Sequence, residues 1–283
     1  MTQSQPSYYL PSSAPWPVFG STALFLMTTG AAMWFNGAGI GRYGVLVGFA
    51  LLVFMMFRWF GDVVRESESG KYGKWEDASF RWGMSWFIFS EVMFFAAFFG
   101  ALFYARVLAV PDLGSLTSRE LLWPDFSAQW PSAGPGFQDQ FTPMAAWGVP
   151  ALNTLLLLSS GVTLTIAHFG MVEGNRGKLK LWLFLTIALG ATFLGFQILE
   201  YSHAYSELNL KLSTGIYGTT FFMLTGFHGF HVTIGVIMLT TMLFRSFAGH
   251  FRPEHHFAFE AVAWYWHFVD VVWLLLFIFV YWV

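Results

Sequence analysis

Two short motifs place metal-ligand side chains at helical spacing. His228 and His231 are three residues apart, and so are His267 and Asp270. Positions i and i+3 lie on one face of an α-helix, and neutral imidazole is the commonest metal donor in proteins. One hypothesis is therefore a stand-alone membrane metalloenzyme that uses these four residues. Hydrogen bonding between helices is the favoured alternative, because the residues lie inside separate apolar segments rather than near an aqueous face.

Glu91 is a carboxylate in the middle of the apolar sequence FSEVMFF. An acidic residue at the centre of a membrane helix costs about 2.5–3.5 kcal/mol, and such residues often serve a function. The functional hypotheses are a proton relay, a gate or a proton channel centred on Glu91. The alternative is a neutral, hydrogen-bonded carboxyl group that joins two helices. The neighbouring sequence offers Glu91 no evident partner, so both interpretations stay open.

The composition places these residues in a membrane. Of 283 residues, 56% are hydrophobic, 20% aromatic and 11% charged, whereas about 25% of residues are charged in soluble domains. The net charge of −2, with no basic stripe, argues against nucleic-acid binding. The chain has no cysteine, which excludes disulfides, iron–sulfur clusters, covalently attached c-type haem and thiolate copper sites within it.

Seven long apolar segments predict an all-α polytopic membrane protein, because about 20 apolar residues cross a hydrocarbon layer of about 30 Å. The predicted spans are residues 17–35, 43–64, 78–106, 144–172, 179–203, 215–244 and 257–281. A polar linker at 65–77 follows the second span, and a loop at 107–143, rich in Pro, Gly, Trp and Ser, follows the third. The loop shows no helical or strand periodicity and is predicted to lie at the surface.

The basic residues predict the orientation of the chain in the membrane. One side carries ten of them: Arg58, Arg65, Lys71, Lys74, Arg81, Arg176, Lys178, Lys180, Arg245 and Arg252. The other side carries four: Arg42, Arg106, Arg119 and Lys211. The positive-inside rule then places the N-terminus inside and the C-terminus outside. On the inner side, Arg65 and Arg245 are either lipid headgroup ligands or simple inside-positive charge, and spacing alone favours the second.

Residues 257–273, FAFEAVAWYWHFVDVVW, resemble the last helix of subunit III of the haem-copper cytochrome c oxidases. Further segments resemble the same family: PWP at 15–17, RWGM at 81–84, FIFSEV at 87–92, PALNT at 150–154, GIYGTTFF at 215–222, TGFHGFH at 225–231 and HHF at 255–257. The resemblance covers nearly the whole chain, from about residue 8 to residue 283.

The resemblance implies a division into two helix bundles with a lipid-filled cleft between them. It gives an N-terminal inner segment at 1–16, a two-helix bundle at 17–64, the inner linker at 65–77, and a five-helix bundle at 78–283 that carries the outer loop 107–143. It also implies that the haems and copper belong to partner subunits I and II, that this chain holds no cofactor or metal, and that structural phospholipids bind to it.

The implied function is that of a non-redox core subunit of a proton-pumping cytochrome c oxidase. Such a complex passes electrons from cytochrome c to dioxygen and forms water. In the family, subunit III stabilises subunit I and supports proton uptake and sustained turnover. Seven spans favour cytochrome c as the donor, because the quinol-using relatives lack the first two.

By motif match, Glu91 corresponds to the buried carboxylate of the family's third helix. Four residues match positions that contact lipid: Trp59, Arg65, Arg245 and His255. The intramembrane polar residues, read as an interhelical network, are His228, His231, Glu260, His267 and Asp270.

Two departures from the family pattern affect the prediction. Residues 7–10 carry no histidine where several relatives have one, so a proton-collecting role for this segment is in doubt. The loop 107–143 is longer than in the mitochondrial forms, which favours a bacterial plasma membrane over a mitochondrial inner membrane.

Overall fold

The computed structural model describes residues 9–10, 13–115, 118, 121–137 and 140–282. These residues form seven long helices: α1 Trp16–Phe35, α2 Gly41–Glu68, α3 Lys74–Phe103, α4 Val149–Val172, α5 Arg176–Ser206, α6 Gly215–Phe247 and α7 Phe257–Leu276. All seven are long and apolar enough to cross a membrane. Within the described residues, β-structure is limited to an isolated bridge between Arg252 and His255. The prediction of an all-α polytopic fold is confirmed.

The chain divides into two compact units, Met1–Phe80 and Arg81–Val283. In the first unit α1 packs against α2 through small residues. A Cβ atom added at Gly30 would lie 2.7 Å from the Gly41 carbonyl oxygen, and one added at Gly48 would lie 2.7 Å from the carbonyl oxygen of Ala23. Small residues of this kind let membrane helices approach closely enough for backbone contact.

The linker between α2 and α3 is shorter than the predicted 65–77. Helix α2 continues to Glu68 and α3 begins at Lys74. The Glu76 carboxylate accepts hydrogen bonds from the backbone N–H groups of Gly73, at 2.8 Å, and Tyr9, at 2.5 Å. An acidic side chain is favourable in the first turn of a helix because it faces unpaired N–H groups. These bonds explain the early start of α3.

Tyr72 anchors this short linker. Its hydroxyl donates a hydrogen bond to Glu66 Oε2 at 2.9 Å, and its ring packs edge-on against Phe80. Burial and the adjacent Glu66 carboxylate raise the pKa of the Tyr72 phenol above its ordinary value. Tyr72 therefore acts as a hydrogen-bond donor throughout the neutral pH range.

The third span runs beyond its predicted end at Arg106. After Phe103 it continues as a π-helix, Tyr104–Ala109, and then as one α-helical turn, Val110–Leu113. The apolar residues 107–110 allow this extension, and Arg106 donates a hydrogen bond to the Phe279 carbonyl oxygen at 3.4 Å. The outer loop therefore begins at Gly114. Parts of the predicted loop and N-terminal segment, namely 116–117, 119–120, 138–139, 1–8 and 11–12, lie outside the described residues.

Helix α7 is the most buried span of the second unit. In the most apolar 18-residue stretch of α7, 56% of the residues are buried, compared with 39% in α4 and 28% in α5. Trp266 is fully buried, and its indole N–H donates to Ser160 Oγ of α4 at 2.9 Å. The ring occupies space left by Gly190 of α5 and Gly235 of α6. One tryptophan thus contacts three other helices.

Candidate functional site

Glu91 and His231 bring α3 and α6 together inside the second unit. His231 Nε2 lies 2.8 Å from Glu91 Oε2. The other ring nitrogen, Nδ1, lies 2.6 Å from the Phe227 carbonyl oxygen. Because a carbonyl oxygen only accepts, Nδ1 must carry a hydrogen, and a neutral ring then leaves Nε2 without one. The short contact with Glu91 therefore requires one proton shared between the two side chains.

Aromatic rings surround this shared proton. The rings of Phe94 and Phe95 lie 5.9 and 5.0 Å from the His231 ring, measured between centroids. The Tyr265 hydroxyl donates to the His231 carbonyl oxygen at 3.2 Å. The His231 side chain is 9% exposed and that of Glu91 is 22% exposed. The pair is largely shielded, with a partial opening on the Glu91 side.

His228 points toward other helices than His231 does, although the two share a helix. It is fully buried, and its Nε2 lies 3.2 Å from the Val269 carbonyl oxygen of α7. Its ring packs against Phe193 of α5 and Trp273 of α7. His228 thus joins α6 to α7, whereas His231 joins α6 to α3.

His267 and Asp270 pair with each other along α7. His267 Nδ1 lies 3.4 Å from Asp270 Oδ2, and the His267 side chain is 45% exposed while that of Asp270 is 8% exposed. Together with the contacts of His228 and His231, this shows that the four residues of the metalloenzyme hypothesis face different partners. Among the described residues they do not converge into a cluster of metal-ligand atoms.

Glu260 belongs to a different cluster, near the start of α7. One of its oxygens pairs with the Arg81 guanidinium of α3, and the other lies 2.8 Å from His256 Nε2. His168, at the end of α4, completes the group, with its ligand atom and those of His256 and Glu260 all within 4.8 Å of one another. His256 and Glu260 are four residues apart in the sequence, whereas nothing in the sequence indicates His168.

Glu200 is a buried carboxylate in α5. It is 3% exposed and accepts a hydrogen bond of 2.5 Å from the Tyr281 hydroxyl. Gln197, one turn earlier in α5, lies 3.4 Å from the same carboxylate oxygen. This contact holds α5 against the C-terminal π-helical segment Phe277–Tyr281, which continues α7.

Two of the predicted lipid ligands lie in the first unit. Trp59 is 47% exposed and stacks on Phe60. Arg65, in the last turn of α2, pairs with Asp62, which also accepts a hydrogen bond from the Trp16 indole at 2.9 Å. The Arg65 side chain remains 66% exposed despite this pairing.

The other two predicted lipid ligands lie in the second unit. Arg245 is in the last turn of α6, and its guanidinium carbon lies 4.8 Å from the centre of the Phe251 ring. Its Nε donates to His250 Nδ1 at 3.5 Å. His255 is exposed, and its backbone N–H donates to the Arg252 carbonyl oxygen at 3.1 Å. These contacts fix the direction of the Arg245 side chain.

The fold and these contacts define a class: a polytopic all-α membrane protein in which polar side chains inside the spans, such as Glu91 and His231, pair between helices. The family model described as Cytochrome c oxidase subunit III matches residues 6–283. The chain belongs to the cytochrome c oxidase subunit III family. It is thus part of an oxidase complex, which is an oxidoreductase of the respiratory chain.

Three relatives, each named Cytochrome c oxidase subunit 3, illustrate the similarity. The chain is 41% identical to the protein of Oryctolagus cuniculus over 283 residues, covering 100% of this chain and 99% of the relative. It is 42% identical to the protein of Dugong dugon, with the same coverage of both chains. It is 42% identical to that of Scyliorhinus canicula, covering 97% of this chain and 96% of the relative.

Proposed function

We propose that this chain is a non-redox core subunit of a proton-pumping oxidase that passes electrons from cytochrome c to dioxygen and forms water. Its partners are subunits I and II, which carry the haems and copper. Its own role is to stabilise subunit I and to support proton uptake and sustained turnover. The Glu91–His231 contact carries this proposal, because it joins two of the segments on which the family resemblance rests.

The position of Glu91 indicates how the pair contributes. Glu91 follows Arg81 by ten residues in α3, which places it about 15 Å further along the helix at 1.5 Å per residue. That distance is too long for direct proton exchange between Glu91 and groups near Arg81. The shared proton instead leaves the pair without net charge, which lets α3 and α6 pack within lipid. The pair therefore supports proton uptake indirectly, through the position of α3.

Phospholipid binding is the second part of the proposed role. Arg65 and Arg245 each lie in the last turn of a long span, where a basic side chain meets unpaired carbonyl groups and the headgroup region. Arginine binds phosphate through paired N–H groups. The Phe251 ring orients the Arg245 guanidinium, and Trp59 offers a half-exposed indole of the type found at membrane interfaces. His255 adds an exposed imidazole beside Arg252.

The proposed setting is the plasma membrane of a bacterium, with the N-terminus inside and the C-terminus outside. The ten-to-four distribution of basic residues supports the orientation. The long outer loop supports a bacterial enzyme. A cysteine scan tests the orientation directly, because the chain has no native cysteine. A cysteine introduced at position 173–175 should be protected from a membrane-impermeant maleimide in intact cells, and one introduced at position 123 should react.

Affinity purification in a mild detergent through a tag on this chain tests the proposed function. We expect a haem-bearing partner of about twelve spans, a second partner that binds cytochrome c, and oxygen consumption by the complex. After the chain is dissociated, the haem absorption and the initial oxygen consumption should stay with the partners. A haem band, metal-dependent oxygen consumption or proton flux through vesicles from this chain alone would instead support the metalloenzyme or the channel.

A further inference from the structure

His168, His256 and Glu260 lie together where α4 ends and α7 begins, apart from the Glu91–His231 pair. We propose that they form a binding site for a divalent transition-metal ion of the zinc type. His168 lies in α4, Glu260 lies in α7 and His256 is the residue just before α7. Their ligand atoms all lie within 4.8 Å of one another. Two histidines and one glutamate are a recurrent zinc ligand set that leaves a fourth position for water.

The hydrogen bonds around His256 favour a cation at this position. Its Nδ1 lies 3.2 Å from the Arg252 carbonyl oxygen, which can only accept, so Nδ1 is the donor. In the neutral ring Nε2 then presents a lone pair, yet it lies 2.8 Å from Glu260 Oε1. Two acceptors at that distance repel unless a proton or a metal ion lies between or beside them. A zinc ion bound by both atoms removes the repulsion.

His168 supplies the third ligand without losing any other contact. Its Nε2 is buried and has no hydrogen-bond partner among the described residues. A buried polar atom without a partner destabilises the folded state. Its ring lies 5.7 Å from the ring of His256 and 5.7 Å from the ring of Phe259, measured between centroids. A metal ion would give this nitrogen the partner that the protein does not.

Arg81 and the Arg252 carbonyl oxygen contact the proposed ligands and orient them. Arg81 pairs with Glu260 Oε2, which leaves Oε1 available for coordination. The Arg252 carbonyl oxygen fixes the tautomer and orientation of His256. Ligand histidines and carboxylates in metal sites are commonly held in this way by carbonyl and charged neighbours. The positive charge of Arg81 also weakens cation binding, so we expect a reversible site rather than a permanent structural one.

The types of donor atom indicate which metal ions the site would bind. Two imidazole nitrogens suit zinc and its neighbours, whereas magnesium and calcium prefer oxygen donors alone. The affinity order for such a site rises toward copper and falls again to zinc. Bound zinc would cross-link the end of α4 to the start of α7 within the second unit.

The test is zinc titration of the purified oxidase complex after treatment with a chelator. Three forms are compared: wild type, His168→Asn, and the control His203→Asn. His203 forms an i,i+4 contact with Glu207 at 3.2 Å, the same spacing as His256 and Glu260. Among the described residues, no third donor completes a cluster with that pair. Isothermal titration gives stoichiometry and affinity, and zinc X-ray absorption reports the imidazole ligands.

We expect the wild type and His203→Asn to bind one more zinc ion than His168→Asn, or to bind it at least about tenfold more tightly. The absorption spectrum of that extra zinc should show two imidazoles. Equal zinc binding by wild type and His168→Asn would overturn the proposal, as would an extra zinc without imidazole ligands. If His168→Asn assembles poorly, His256→Gln removes a second ligand and must give the same loss. Failure of this test leaves the proposed role in the oxidase intact, because that role needs no metal in this chain.

Discussion

Glu91 in α3 and His231 in α6 are separated by 140 residues in the sequence and by 2.8 Å in the structure. Because His231 Nδ1 donates to the Phe227 carbonyl oxygen, one proton must be shared between the carboxyl group and Nε2. This sharing explains how a carboxylate is accommodated in an apolar helix. It also means that replacing Glu91 and replacing His231 should have different effects on stability.

Glu91→Gln is expected to leave assembly and single-turnover oxygen reduction nearly intact. The glutamine amide N–H donates to His231 Nε2, so the hydrogen bond between α3 and α6 is kept, and stability should change by no more than about 1 kcal/mol. Haem content and the rate of the first turnover of the purified complex provide the measurement. Complete loss of haem from the complex would refute this expectation.

His231→Phe is expected to be more damaging than Glu91→Gln. It removes the only described partner of the Glu91 carboxyl group and leaves that group in an aromatic environment, at a cost of about 1–3 kcal/mol. The melting temperature of the complex in detergent measures the effect. In the double variant Glu91→Leu, His231→Phe both polar groups are absent, and much of the lost stability should return. Equal melting temperatures for His231→Phe and the wild type would contradict the account.

The sequence predicts the seven spans because each is a long apolar run, and it predicts which residues carry unusual chemistry. It does not predict their partners. Glu91 and His231 are found as separate anomalies, and His228 and His231 look like one pair because they share a helical face. Which helix faces each of them depends on the packing around Trp266, which only the tertiary structure provides. Helix ends such as Glu68 and Leu113 are also missed, because hydrophobicity reports the span and not the helix that extends beyond it.

Arg245→Ala is expected to lower the number of tightly bound phospholipids and to shorten the working life of the enzyme. The guanidinium is held against Phe251 at the end of α6, so its removal deletes a fixed headgroup contact. Native mass spectrometry counts the lipids, and oxygen consumption over successive turnovers gives the lifetime. Arg252→Ala is the matched control, since Arg252 is exposed and its described contacts use the backbone carbonyl oxygen. Unchanged lipid content in Arg245→Ala would count against lipid binding there.

Tyr281→Phe is expected to destabilise the second unit without changing its fold. The Tyr281 hydroxyl donates at 2.5 Å to Glu200, which is 3% exposed and has Gln197 as its other described side-chain partner. Leaving a buried carboxyl oxygen short of a donor costs about 1–3 kcal/mol. Thermal unfolding in detergent measures the loss, and Glu200→Gln in the same background should recover part of it. A Tyr281→Phe melting temperature equal to that of the wild type would mean that water already satisfies Glu200.

Gly190→Ala is expected to be destabilising and Gly195→Ala to be neutral or stabilising, although both lie in α5. A Cβ atom at Gly190 would lie 2.6 Å from Cη2 of Trp266, a ring that is fully buried and tied to Ser160. Because the ring is fully buried and its N–H is hydrogen-bonded to Ser160, overpacking should cost about 1–3 kcal/mol. At Gly195 a Cβ atom meets nothing within 4 Å. Alanine there should be neutral or should stabilise the helix by about 0.5–1 kcal/mol, because glycine loses more backbone entropy on folding. Melting temperatures of the two variants and the wild type, measured in the same detergent, test both expectations. A tolerated Gly190→Ala would show that Trp266 can shift, and the central position assigned to this tryptophan would then be wrong.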